Sequence, residues 1–171
     1  MIKILKIVII ILFSTYGYAQ DKIFTHQNDS ILCKITEIGE KTISYKYNGE
    51  DLVNSISKNH VSQVKFASGR IQKFSEKLII NGELDWQKVI ITNLESDIDG
   101  LTLVEKKTVK LSKDWVYNNT VKFNNAKDEL KKEAAKKGCH IVLLLTTIGK
   151  KGQLDIIDRP NWSITGAFYK Y

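Results

Sequence analysis

The chain is poor in the residues that staple or interrupt a fold. It holds a single proline, Pro160, so no proline-rich linker separates its parts. It holds two cysteines, Cys33 and Cys139, and three histidines, His26, His60 and His140. No two pairs of these stand at the close spacing of a zinc site. Carboxylates are plentiful, but no two stand out as a general acid and base. No glycine-rich phosphate cradle is present, because "GKKG" at 149–152 precedes no helix. After the first twenty residues no apolar run is long enough to span a bilayer. These absences point away from enzyme, metal and cofactor chemistry, and no residue is assigned a catalytic, cofactor or metal role.

The charge excess is modest. The formal balance is +7, with 26 basic and 19 acidic residues spread among each other. Such a surface has loose affinity for anions, and no nucleic-acid recognition motif accompanies it.

The opening segment "MIKILKIVIIILFSTYGYAQ" has Lys3 and Lys6 before an apolar stretch from Ile7 to Phe13, with Gly17 and Ala19 following. Charged start, short apolar centre and small residues at −3 and −1 predict a signal peptide over 1–19, cut after Ala19. The apolar stretch is too short for a membrane anchor. The expected protein is exported, periplasmic or secreted, with no integral span after cleavage.

Two units are expected in the remainder, residues 20–77 and 78–171. In the first, "SILCKITEI" alternates, placing Ile31, Cys33 and Ile35 on one face. "TISYKY" places Ile43, Tyr45 and Tyr47 together, and Asn48-Gly49 is a hairpin signal. "LVNSIS", "VSQVKF" and "IQKF" follow. Five short strands with frequent turns predict a small antiparallel β-barrel-like unit.

In the second unit, "WQKVIIT" reads as a strand, "LESDIDG" as a solvated loop and "LTLVEKKTVKL" as one or two strands. The spacing predicts a helix over about 124–137, with Asn124 or Asn125 as its cap and Asp128 in its first turn. Ala126, Leu130 and Ala134, extended by Phe123, form its apolar stripe. Asp128 to Lys132 and Glu133 to Lys137 are acid-before-base pairs. Gly138 suits the left-handed position past the helix end. The unbroken apolar run Ile141 to Leu145 predicts a central strand covered on both faces. "SITGAFYKY" reads as the final strand. The predicted fold class is α+β.

The phrases "LKKEAAKKGCHIVLL" and "GAFYKY" resemble a family of small bacterial envelope domains. The Rcs envelope-stress sensor lipoproteins and a small oligomeric heavy-metal-binding-like family share this plan. The likeness covers roughly residues 86 to 171 and lies in packing residues. "ILCKITEIGEKTISYKY" and "ISKNHVSQVKFASG" are similar to a β-rich unit of exported bacterial proteins. The resemblance implies an exported envelope protein. It carries over no substrate or active site, and the chain lacks the sensor's lipid-bearing cysteine.

The candidates for chemistry reduce to a few groups. Cys139 and His140 are adjacent, but a strand sends consecutive side chains to opposite faces. They then share neither an ion nor a proton. Cys139 is expected on the face of Ile141 and Leu143, and His140 on that of Val142 or in solvent. Cys33 and Cys139 are either two buried thiols or a disulfide, which an exported compartment allows. Their inward positions in separate units favour thiols. The carboxylates of "NGED" (48–51) and of "LESDIDG" (94–100) read as solvated rather than calcium-binding. Trp86, Trp115 and Trp162 read as sheet-rim packing. The expected function is non-enzymatic binding or scaffolding, with an envelope protein or glycan as partner. The alternative is an envelope-stress sensor acting through protein–protein contact.

Overall fold

The computed structural model describes residues 20–111, 119–150 and 161–171. The expected signal peptide, Trp115 and Pro160 lie outside these residues.

The first sheet is antiparallel and six-stranded. It contains β1 (Asp21–Thr25), β2 (Ser30–Ile38), β3 (Thr42–Lys46), β4 (Asn54–Ser57), β5 (Val61–Lys65) and β6 (Ile71–Lys73). Their spatial order is β4-β3-β2-β1-β5-β6. Ile31, Cys33 and Ile35 do face inward, as do Ile43 and Tyr45. Bulges between Phe24 and Thr25 and between Ile35 and Glu37 bend the ladder. One face encloses Ile23, Cys33, Ile43, Tyr45, Ile56, Val61 and Val64.

Two expectations are corrected here. The sheet has a sixth strand, β1, which pairs with both β2 and β5 and so sits inside the sheet. The sheet also stays open. A barrel requires the outermost strands to pair, whereas β4 and β6 remain at opposite edges. The β4 edge is capped instead from the second unit, where the Ser57 amide donates to the Asp99 carbonyl at 3.0 Å.

The second sheet holds β7 (Ile90–Thr92), β8 (Thr102–Lys110), β9 (Ile141–Lys150) and β10 (Asn161–Lys170), ordered β7-β9-β10-β8. Only β7 runs parallel to its neighbour. The apolar strand β9 is central, as its composition predicts, and Ile141, Val142 and Leu143 are buried. The helix Asn119–Lys136 packs on one face. Ala126, Leu130 and Ala134 are buried there, joined by Ala135, with Phe123 partly buried beside them. Gly138 takes φ 65°, the left-handed turn expected past the helix end.

The local expectations in this unit are corrected at four points. "ELDWQK" forms a 3-10 helix, Glu83–Lys88, so the strand is only Ile90–Thr92. The main helix starts earlier than predicted, so Asn124 and Asn125 lie inside it and its first turn holds no acidic residue. Tertiary packing of Phe123 against the core overrides the local capping signal. Glu133 pairs with Lys107 at 2.6 Å and Lys136 at 2.9 Å, while Lys137 pairs with Glu105 at 2.6 Å. Cations on β8 and carboxylates on β8 thus compete with the local i+4 partners. Lys132 lies over the Trp86 ring at 5.2 Å. Finally, Cys139 joins Val142, Leu130 and Phe168 under the helix. The strand begins at Ile141, so its alternation does not reach back to Cys139, whose amide still donates to Ala134 at the helix end.

Candidate functional site, a histidine junction

The two sheets meet through polar and aromatic groups. The loop expected to be solvated supplies the first half. Residues Glu95–Asp97 form a 3-10 turn, and Asp97 is buried. Thr92 Oγ1 donates to Asp97 Oδ2 at 2.7 Å and accepts from the Leu94 amide at 3.0 Å. The Asp97 carbonyl accepts from Ser57 Oγ at 3.0 Å and Asn59 Nδ2 at 3.3 Å. Ser55 Oγ donates to the Asp99 carboxylate at 2.9 Å. Lys41 Nζ stands 4.0 Å from the other Asp97 oxygen. The Asp97 carbonyl therefore joins the units while its carboxylate is held by Thr92, which corrects its reading as a solvated loop residue. Gly100 closes the turn at φ +81°, and a Cβ there would lie 3.2 Å from Ile56 Cγ1 and 3.5 Å from His60 Nδ1. Backbone conformation and space both reserve the position for glycine.

The second half gathers every histidine in the sequence. His26 follows β1, and its amide donates to the His60 carbonyl at 3.0 Å. His60 ends the connector between β4 and β5. His140 precedes β9; its amide donates to Tyr169 and its carbonyl accepts from Ile90 at 2.9 Å. Tyr171 lies among the three rings. His140 stacks on it at 4.1 Å, His26 is tilted at 4.8 Å, and His60 meets it edge-on at 6.3 Å. The first sheet contributes two rings and the second contributes His140 and Tyr171. Around the tyrosine the histidines surround a ring rather than a common point. Among the described residues, no three of His, Cys, Asp or Glu are placed to hold one metal ion.

The proton positions follow from the hydrogen bonds. Ser75 Oγ has carbonyl acceptors at Lys58, 3.0 Å, and Val61, 2.9 Å. Its single proton is committed to them, so it accepts from His26 Nε2 at 2.8 Å. His26 then carries a proton on Nε2. His60 Nδ1 and His140 Nδ1 are buried without a hydrogen-bond partner among the described residues. Burial lowers the pKa of all three rings below the ordinary 6.5. His60 and Lys77 lower His26 further. Lys77, His26 and Lys170 do the same to His140. The Gly100 backbone and Asp29 oppose the shift at His60, and the Leu78 backbone opposes it at His140. Burial likewise raises Tyr171, whose hydroxyl accepts from the Leu78 amide at 3.4 Å.

The remaining candidates lie apart. Cys33 and Cys139 are free, buried thiols, one in each core. Burial pushes Cys33 up to about 11 and Cys139 upward, which makes both poor nucleophiles. Asp51 of "NGED" is exposed. Trp86 packs against the second core beneath Lys131 and Lys132. Trp162 lies in β10, and its side chain is outside the described set. An open groove of about 490 Å³ runs beside the junction, lined by His26, Asn28, Ser62, Phe74, Ser75 and Lys77 among others. The histidine convergence was missed at the level of sequence because its members lie far apart in the chain and have no common spacing.

Compared with known proteins, the chain gives no match to a family model, a curated protein or a solved structure.

Proposed function

We propose that the chain is an exported envelope protein that works by binding, with an envelope protein or a glycan as partner and no chemistry of its own. The observation that carries this reading is the use made of the converging polar groups. Asp97, Ser57, Ser75 and His26 direct their hydrogen bonds within the chain, where they tie strands and loops together. An open groove and several exposed large apolar side chains face outward among the charged residues. Leu84 is 97% exposed and Leu52 68%. They are two exposed apolar points at which contact with a partner can be sought. The leader-like segment at 1–19 supports export, as does the likeness of the second half to envelope domains.

A photo-crosslinking residue placed at Leu84 and at Leu52 in the native bacterium tests the reading. The expected result is a discrete adduct from the envelope or secreted fraction, on a chain beginning at or near Gln20. Recovery of the chain with Met1 in the cytoplasm would overturn it.

A second reading is an envelope-stress sensor acting through protein–protein contact. One observation favours it: two buried histidines and a half-buried third stand where the two sheets meet.

A further inference from the structure

We propose that the three histidines around Tyr171 form a pH-sensitive latch between the two sheets, closed while the rings are neutral and opened by their protonation. The inference concerns how the units are held, and it stands whether or not the binding reading does.

Geometry carries it. The rings come from three separated points of the chain and converge on one tyrosine at the junction. Each neutral ring packs on aromatic or polar neighbours without a counter-charge in hydrogen-bond reach. His60 Nδ1 and His140 Nδ1 are buried with no partner among the described residues. A second proton would put a charge on a ring held in this setting, with only the Gly100 backbone at His60 and the Leu78 backbone at His140 favouring it from the main chain. His26 already donates through Nε2, so its second proton goes to Nδ1.

The surrounding charges do not offset this. Lys77, on the segment after β6, acts against a charge on His26 and His140. Lys170 of β10 acts against one on His140, and the histidines act against one another. Asp29, on the turn between β1 and β2, favours a charge on His60 alone. Asp97 and Asp99, on the loop before β8, are hydrogen bonded to Thr92 and Ser55. Tyr171 is neutral throughout this range, since its pKa is raised.

The sign follows. Rings lowered below 6.5 in the closed form return toward 6.5 when the junction opens. The open form therefore binds more protons, and closure weakens as pH falls through 6.5 and below. The closing constant can change by about tenfold per pH unit for each ring, or up to about a thousandfold for three. The remaining polar contacts, at Ser57 and Asp97, carry no histidine and set the level from which this loss is counted.

The test uses the mature chain, Gln20 to Tyr171, labelled for histidine and methyl NMR and followed from pH 8 to 4.5 beside small-angle scattering. We expect all three rings to titrate below 6.5. The radius of gyration should rise in the same window while the Ile23 and Leu130 methyls keep their folded shifts. The variant H26Q/H60Q/H140Q should show no such step. A radius constant across the range overturns the latch. Simultaneous loss of both methyl signals overturns it as well, because that is global acid unfolding. A folded triple variant with the wild-type step overturns it too. Should the triple variant not fold, the wild-type titration decides alone.

Discussion

The two sheets solve the same problem, burying one apolar face, in different ways. The first does it with β-branched residues on a bent sheet. Ile23, Ile43, Ile56, Val61 and Val64 fill its core around Cys33 and Tyr45. Among the described residues no helical side chain belongs to that core. The second lays a helix on its sheet and needs small residues for close approach. Ala126, Ala134 and Ala135 line the helix side, and Gly166 of β10 makes room for Leu130. A bent sheet tolerates local change by adjusting its curvature, whereas a helix resting on a glycine has no room to give. The second core should therefore be the more sensitive to a change of volume. Each core also carries one buried thiol, Cys33 or Cys139, which can report on its own opening.

The largest effect expected is from Leu130→Ala. Leu130 is fully buried under the helix, and such truncations cost about 2–5 kcal/mol. Labelling by a maleimide in native buffer should become roughly thirty- to several-thousand-fold faster at Cys139. Cys33 should keep its wild-type rate. Equal acceleration at both thiols would show that the two cores open as one and would erase the distinction drawn above.

Much of this architecture was legible in the sequence. Alternation in "SILCKITEI" places Cys33 inward, and the unbroken apolar run places β9 at the centre of its sheet. The stripe Ala126–Leu130–Ala134 selects the buried helix face, since it depends only on helical period. What was hidden depends on partners distant in sequence. Strand β1 owes its place to β2 and β5 on either side. Glu133 prefers Lys107 of β8 to its neighbour four residues on. Asp97 sits in a polar loop of ordinary composition, and nothing local signals that Ser57 and Asn59 will cover it. The histidine cluster is the extreme case. His26, His60 and His140 share no spacing, and only the meeting of two sheets brings them to Tyr171.

A smaller effect sharpens the contrast in volume tolerance. A Cβ on Gly166 would lie 2.8 Å from Val142 Cγ1 and 3.1 Å from Leu130 Cδ1. Both neighbours are buried side chains in the same core, so Gly166→Ala should cost about 1–3 kcal/mol by overpacking. In the first unit, a Cβ on Gly39 would meet only Thr42, at 3.5 Å from its carbonyl oxygen. Gly39→Ala should stay within about 0.5 kcal/mol of wild type. Paired thermal or urea melts measure both. A Gly39→Ala cost as large as that of Gly166→Ala would remove the asymmetry between bent sheet and helix-on-sheet.

The smallest effect concerns charge. In the first unit Lys46 and Asp51 stand 3.8 Å apart with the carboxylate in open solvent, a pair that holds nothing in place. In the second unit Glu133 bridges Lys107 of β8 and Lys136 of the helix. Lys107, then Lys136, lower the Glu133 pKa from 4.5 to about 2. A carboxylate lowered on folding contributes stability that is complete above its unfolded value and lost as pH falls. The loss here runs from about 4.5 down to about 2. The Lys107 side chain is still a third exposed, so solvent screening holds the effect to about 1 kcal/mol or less. Glu133→Gln should lower the stability of the second unit by up to about 1 kcal/mol above pH 5, flatten its pH dependence across that range and converge with wild type below it. Asp51→Asn should have no measurable effect at any pH. Because Glu133 titrates from 4.5 downward and the histidine step begins at 6.5, Glu133→Gln should leave the onset of any opening intact. A Glu133→Gln variant that shifted the histidine step would show that helix docking and the junction are coupled.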